Sequence, residues 1–275
     1  MVHRASGSVA PRLEPISLMD DVQLPVLVMD DDFAVIAKPA GLMAHASPMA
    51  RGEDDFLVDR LRAQFSRNVV LVHRLDRATS GCVLVAFDRE TAAALGAKFM
   101  ERDVDKTYLA VCRGWPEESF VVDYALDGGP GKALKKPAVT GFRRLATGEL
   151  SEPSGAFATS RYALLECRPE TGRWRQIRRH LKHLSHHLIG DTSHGDGRHN
   201  RAFRMRGVHR MLLHAHTLGF AHPRSGERIA ATAPLDAEFE RALGLFDWLP
   251  MANPDPSGVR PGFDALPADN GALLP

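Results

Sequence analysis

The chain has 275 residues, 44% hydrophobic and 25% charged, with a formal net charge of +1. This composition suits a globular protein with one sizeable core and excludes a disordered polyelectrolyte or a disulfide-stapled scaffold. No run of 18 apolar residues is present, so no membrane span or membrane partner is expected. Cys82, Cys112 and Cys167 are few, odd in number and widely spaced, and residues 1–8 lack an apolar signal core. These features predict a cytoplasmic protein with free thiols.

In chain order, residues 1–20 carry little periodicity and read as a flexible leader. Residues 24–29 and 33–37, separated by three aspartates, predict a hairpin that feeds Lys38-Pro39. Phe56, Leu57, Leu61 and Phe65 have helical spacing. Residues 69–72 and 82–86 are apolar runs that predict two buried strands, with Thr79-Ser80-Gly81 supplying the turn between them. Residues 90–100 are alanine-rich and helical. Strands are predicted over 106–113, 137–145 and 159–168, and a glycine-rich loop over 126–136. A helix over 174–185 and a closing helix over 236–248 complete one domain, 21–248. The last 27 residues, 249–275, hold six prolines and three glycines and predict a disordered tail.

Charge is unevenly placed. Between Arg168 and Arg210 there are 11 Arg and Lys against three acids, whereas 231–275 holds seven acids against two arginines. Arginine outnumbers lysine 28 to 7, and its planar fork suits phosphate oxygens. On the helix over 174–185, Arg175, Arg178, Arg179 and Lys182 fall within one sector, opposite Ile177, Leu181 and Leu184. That spacing predicts a basic ridge backed by an apolar face, a surface suited to nucleic acid.

Asp76 is the leading candidate for chemistry. It lies in a turn between two predicted strands, with Arg74 and Arg77 beside it. An aspartate in a turn most often bonds only the nearby backbone N–H groups. The residues around it argue for more. The string His73-Arg74-Leu75-Asp76-Arg77-Ala78-Thr79-Ser80-Gly81 resembles the catalytic loop of the RluA-type pseudouridine synthases at every specified position. Lys38-Pro39-Ala40-Gly41 and Lys106-Thr107-Tyr108-Leu109-Ala110 are similar to two further elements of that family. So are Thr171-Gly172-Arg173-Trp174-Arg175-Gln176-Ile177-Arg178 and the late strand Leu212-Leu213-His214-Ala215. The elements occur in family order across roughly residues 24 to 248. One departure stands out: Arg175 occupies a position where the family usually carries histidine.

The resemblance implies an α+β fold, with a mixed, mainly antiparallel sheet flanked by helices and loops around a central RNA-binding cleft. It implies an isomerase that converts uridine to pseudouridine in RNA, with no cofactor and no metal. Asp76 is then the essential carboxylate, acting as nucleophile or as electrostatic stabiliser. Tyr108 would stack on the flipped base and is a candidate to assist proton removal, and Arg178 would pair with the carboxylate. Arg74 would help occupy the place of the flipped base, Lys38 would be structural first and substrate-contacting second, and Arg173, Arg175, Arg179, Lys182 and Leu213 would contact the RNA. The segment Gly190-Asp191-Thr192-Ser193-His194-Gly195-Asp196, with Asn200-Arg201, resembles that of bacterial members acting on uridine 65 of tRNA. It is expected to form a basic loop, continued by Arg204, Arg206 and Arg210, beside the cleft. Large-subunit rRNA and the tRNA anticodon stem-loop are the alternative substrates. A monomer with no obligate protein partner is the family-based expectation.

Two other classes compete. Ten of the 13 histidines lie between His180 and His222, and His180-x-x-His183 with His187 mimics metal-ligand spacing, as in a hydrolase. A His-Glu-x-x-His motif is missing from the sequence. A non-catalytic RNA-binding protein would share the basic face but would give no reason for the full Asp76 loop.

Overall fold

The computed structural model describes residues 23–45, 52, 54–153 and 157–252. The leader expected over 1–20 and residues 253–275 of the expected tail lie outside them. Twelve strands and six helices follow in order. They are β1 (Val26–Met29), β2 (Phe33–Lys38), α1 (Leu57–Phe65), β3 (Val70–Leu71), β4 (Ser80–Ala86), α2 (Arg89–Glu101) and β5 (Val104–Arg113). Then come β6 (Ser119–Asp123), β7 (Leu126–Asp127), β8 (Lys135–Lys136), β9 (Val139–Leu150), β10 (Ser160–Pro169) and α3 (Gln176–His183). The chain continues through α4 (Gly197–Arg204), β11 (Leu213–Ala221), β12 (Arg228–Thr232), α5 (Ala237–Gly244) and α6 (Leu249–Ala252). Among the described residues no helix is long and apolar enough to cross a membrane.

Ten strands form one sheet in the order β1-β2-β4-β11-β5-β10-β9-β6, with β12 added to β11 and β3 to β4. Every pair in it is antiparallel except β4 with β11, so the sheet is mixed and mainly antiparallel, as the sequence predicts. The parallel seam is short, pairing His214 with Ser80 and Ala215 with Gly81. Gly81 makes it possible: a Cβ there would sit 2.1 Å from the Ala215 carbonyl oxygen, and its φ of +112° suits only glycine. The predicted turn therefore shifts. It spans Asp76 to Thr79, closed by the Thr79 N–H on the Asp76 carbonyl, and Ser80 and Gly81 already belong to β4.

Strand burial explains the apolar runs. All seven residues of β4 are buried, because the strand is central and covered on both faces. The partner run before the Asp76 turn pairs only at Val70 and Leu71, a shorter strand than 69–72 predicts. Helix α2 starts where Asp88 accepts the Thr91 N–H at 2.7 Å, and α5 starts where Asp236 accepts the Phe239 N–H at 3.0 Å. Two apolar clusters flank the middle of the sheet, one around Leu57, Leu61 and Val83, the other around Ala163, Ile177 and Leu181. Tyr108 packs against both. The sheet centre is thus the place where β4, β5 and β11 meet and where the Asp76 turn emerges.

Two expected loops and two expected helix boundaries give way. Residues 126–136 contain a hairpin, with Leu126 paired to Lys136 and Asp127 to Lys135. Within the expected basic loop, Gly197–Arg204 is a helix, started by Asp196 accepting the Arg198 N–H at 2.9 Å. The closing helix stops at Gly244, and α6 follows with Ala252 buried. Helix α3 begins at Gln176 rather than Trp174, because Arg175 takes a left-handed conformation (φ 52°).

Candidate active site

Asp76 leaves the sheet at the amino end of β4, and three neighbouring elements converge on it. From α3, Arg178 donates from Nη1 to Asp76 Oδ2 at 2.7 Å. From β5 comes Tyr108, in register with Ala215 of β11 and Cys167 of β10. From the start of β11 comes Leu213. All four line one cavity of about 550 Å³. Arg74, Arg173 and Arg175 line it too, so the sequence-predicted site residues are largely gathered in one place.

Arg178 is the hub. It is buried, and its other two donors are fixed on Asp191: Nε to Oδ2 at 2.6 Å and Nη2 to Oδ1 at 2.8 Å. One guanidinium therefore bridges two carboxylates, giving the side-on fork to the buried acid and a single hydrogen bond to Asp76. Burial disfavours the charge on Arg178, but hydrogen bonds and charge from Asp191 and then Asp76 outweigh it, so its pKa is raised. Burial likewise opposes the charge on Asp191, yet Arg178 and the N–H groups of His194 and Ser193 hold its carboxyl below the usual range. Asn200 fixes that loop, accepting the Gly190 N–H at 2.7 Å and donating to the Asp191 carbonyl at 2.9 Å.

The basic-ridge expectation is corrected by this geometry. Arg178 points into the fold rather than to solvent, and Arg179 donates to the Asp127 carboxylate at 2.7 Å. Only Lys182 of the set stands exposed, while Arg175 is half-buried over the Trp174 ring at 4.5 Å. Burial, followed by repulsion from Arg178, lowers the Arg175 pKa. Neither Arg179 nor Lys182 lines the cavity. Arg206 and Arg210, expected to continue the basic loop, pair instead with Glu152 and Asp236. Arg210 is further spent on Ser80 Oγ and the Leu213 carbonyl, bracing β4 against β11.

Lys38 also lies apart from the cavity. It is 1% exposed, and its Nζ donates to the carbonyls of Pro39 (2.7 Å), Leu42 (2.9 Å) and Arg77 (3.2 Å). These bonds tie the 39–42 turn to the Asp76 turn, so the ammonium positions the loop rather than meeting RNA. Burial and the charge of Arg210 push its pKa down to about 7, against the pull of Asp76. Gln176 does similar work opposite. It accepts from Thr171 Oγ1 and the Arg173 N–H and donates to the Val139 carbonyl and Thr140 Oγ1, so its amide is fully engaged in holding the turn before α3.

The second wall was not legible in the motifs. Phe99, Met100 and Arg102, at the end of α2, line the cavity with His73 and Lys106. His73 stacks on Phe99 at 4.7 Å and accepts the Leu84 N–H on Nε2 at 3.0 Å. Burial, then the charge of Lys106, pushes its pKa down to about 3. Burial also raises the Tyr108 phenol well above its ordinary value, with the charge of Asp76 adding to the shift. Asp191 is the other omission. Its signal was present, as one of three acids in a strongly basic segment.

The histidines that mimic metal ligands have other partners. His180 sits between Thr140 Oγ1 (3.0 Å) and the Tyr124 carbonyl (3.1 Å), His183 stacks on Tyr124, and His187 bonds the His194 carbonyl. Their ring nitrogens do not converge on one point.

A sequence profile of the RNA pseudouridylate synthase family matches residues 32–183, which carry Asp76, Tyr108 and Arg178. The chain belongs to that family, and like its other members it is an isomerase that makes pseudouridine in RNA. Similar proteins include tRNA pseudouridine synthase C of Vibrio parahaemolyticus, 40% identical over 84% of this chain and 98% of the relative. The protein of the same name from Vibrio cholerae is 40% identical over 82% of this chain and 96% of its own length. Among solved structures, human RNA pseudouridylate synthase domain containing 1 superposes with a TM-score of 0.61. It is 27% identical and covers 78% of this chain and 84% of its own.

Proposed function

We propose that the substrate is tRNA and that the isomerised base is uridine 65. The Asp76–Arg178 pair, set in a cavity with Tyr108, carries the assignment of chemistry to this site. The names of the 40%-identical relatives favour tRNA, and the resemblance of the segment from Gly190 to Arg201 favours position 65.

Isomerisation requires the N1–C1′ bond to break, the uracil to turn within the site, and C5 to bond C1′ before losing its proton. Asp76 supplies a carboxylate where positive charge develops at C1′, whether as nucleophile or as stabilising charge. Arg178 fixes that carboxylate through one oxygen only, leaving Oδ1 without a hydrogen-bond partner among the described residues. Tyr108 presents its ring to a base taken out of the stack. Because its pKa is raised, its phenol stays protonated, which favours the platform role over that of a general base. Leu213 and Ile177 add apolar wall that keeps the freed uracil from water. Arg74 is exposed and lines the cavity, which supports the reading that it occupies the space the flipped base vacates.

Chemical mapping of pseudouridines in tRNA and rRNA, from cells with and without the gene, tests the substrate. Loss at position 65 of tRNA is the expected result. Loss confined to rRNA or to the anticodon stem-loop would overturn the assignment while leaving the chemistry intact.

A further inference from the structure

The end of α2 and the start of β5 bring two cations to the cavity that the chemistry above does not use. Lys106 lies two residues before Tyr108 on β5, so strand alternation puts both side chains on one face, and both line the cavity. We infer that Lys106 and Arg102 form a subsite for one backbone phosphate adjoining the target uridine, and that this phosphate displaces Glu170. The inference rests on the reading of the cavity as an RNA site.

Lys106 is half-buried, yet among the described residues its ammonium has no carboxylate or hydrogen-bond partner. Its Nζ lies 5.9 Å from the centre of the Phe99 ring. The acids nearest in sequence are engaged elsewhere, Asp103 with Lys98 at 3.2 Å and Asp105 with Arg228. Burial, then the charge of Arg102, lowers the Lys106 pKa. A cation held partly out of water and against a second cation lacks only its anion. Arg102 closes α2 in a left-handed conformation (φ 66°) and is exposed. Its guanidinium stands 3.9 Å from the Glu170 carboxylate, and both side chains are more than half exposed. A contact so long and so well solvated holds weakly and exchanges readily for another anion. Glu170 belongs to the turn after β10, so this loose pair joins two walls, and all three residues line the cavity. The exchange would thus take place inside the site. A phosphate fits the exchange better than the neutral uracil does, since the arginine fork takes two of its oxygens and the ammonium adds a point charge.

The test measures binding of unmodified tRNA transcript against salt concentration. The double variant Lys106→Met, Arg102→Ala should bind about five- to tenfold more weakly at 0.1 M salt and flatten the log K against log salt slope by about 1, the share of one phosphate. Arg102→Ala alone, at an exposed position, should move both quantities the same way and tests the subsite independently of folding. Lys106→Arg should keep the parental slope. Glu170→Gln removes the competing carboxylate and should tighten binding by about twofold. Transcripts with a single neutral methylphosphonate linkage on the 5′ or the 3′ side of the target uridine identify the phosphate. With one of the two, the parent and the double variant should bind equally. A parental slope in the double variant, weaker binding by Glu170→Gln, or a full loss with both modified transcripts would overturn the subsite. So would a loss confined to the rate at saturating RNA, which would put Lys106 on the base instead. A parent that makes no pseudouridine in tRNA would overturn the functional reading, so the two failures are distinguishable.

Discussion

Replacing Asp191 by asparagine should disable the site without touching the reacting atoms. Asp191 Oδ1 accepts the N–H groups of Ser193 (2.8 Å) and His194 (2.9 Å) as well as Arg178 Nη2. The amide oxygen of asparagine would keep that corner. Its NH2 would then face Arg178 Nε, donor against donor, where a 2.6 Å bond stood. Breaking a buried pair costs about 3–5 kcal/mol, and the lower end applies because Asp76 remains as a counter-charge. A loss of about 3 kcal/mol lowers the melting midpoint of a domain this size by about 6–12 °C. Released from its fork, Arg178 can turn its paired donors onto Asp76 and hold both carboxylate oxygens. A transition-state loss of about 2–3 kcal/mol, or roughly 30- to 150-fold in rate, should follow. Single-turnover tritium release from [5-³H]uridine RNA, beside a binding titration, separates rate from affinity. The pH profile of stability adds a second reading. Because the Asp191 pKa is depressed in the folded state, its contribution is present above the ordinary value of 3.8 and disappears as pH falls through the folded pKa. The variant should lack that acid loss. A folded Asp191→Asn protein turning over within threefold of the parent would refute the clamp.

Three further outcomes follow from the geometry. Tyr108→Phe should keep a rate within a few-fold of the parent, whereas Tyr108→Ala should lose about 1–3 kcal/mol of base stacking, seen as a raised KM; an Ala variant with parental kinetics would remove Tyr108 from the site. The half-buried His73 and the buried His214 are pushed down to about 3 from an ordinary 6.5. The unfolded chain therefore binds more protons between those values, and stability should fall as pH drops from 6.5, measured as the urea midpoint at pH 7, 5.5 and 4.5. A flat midpoint would contradict their neutral burial. Gly81→Ala would place a methyl 2.1 Å from the Ala215 carbonyl and should cost more than about 4 kcal/mol, leaving little folded protein in circular dichroism; a folded, active variant would show that the β4–β11 seam can separate.

Continuous apolar runs made β2 and β4 readable, and the fixed polar string around Asp76 placed the carboxylate before any coordinates. Helical spacing likewise marked α1 and α2. The Arg178–Asp76 pairing came from the resemblance alone; what spacing and periodicity missed was set by distant partners. Periodicity put Arg178 on a basic face because it cannot see Asp76, 102 residues away, or Asp191, 13 residues on, folding against the same guanidinium. Lys38 read as structural before substrate-contacting, but the three backbone carbonyls that hold its Nζ leave no mark in sequence. Gly81 read as a turn residue, although its missing side chain serves the strand across the seam. The end of α2 entered the cavity wall through packing alone.

The most direct measurement is tritium release from [5-³H]uridine-labelled tRNA by the parent and by Asp76→Ala, with RNA affinity measured in parallel. The parent should release tritium over many turnovers, and Asp76→Ala should release none while binding within a few-fold of the parent. Turnover retained in Asp76→Ala would contradict the assignment of the chemistry to this carboxylate.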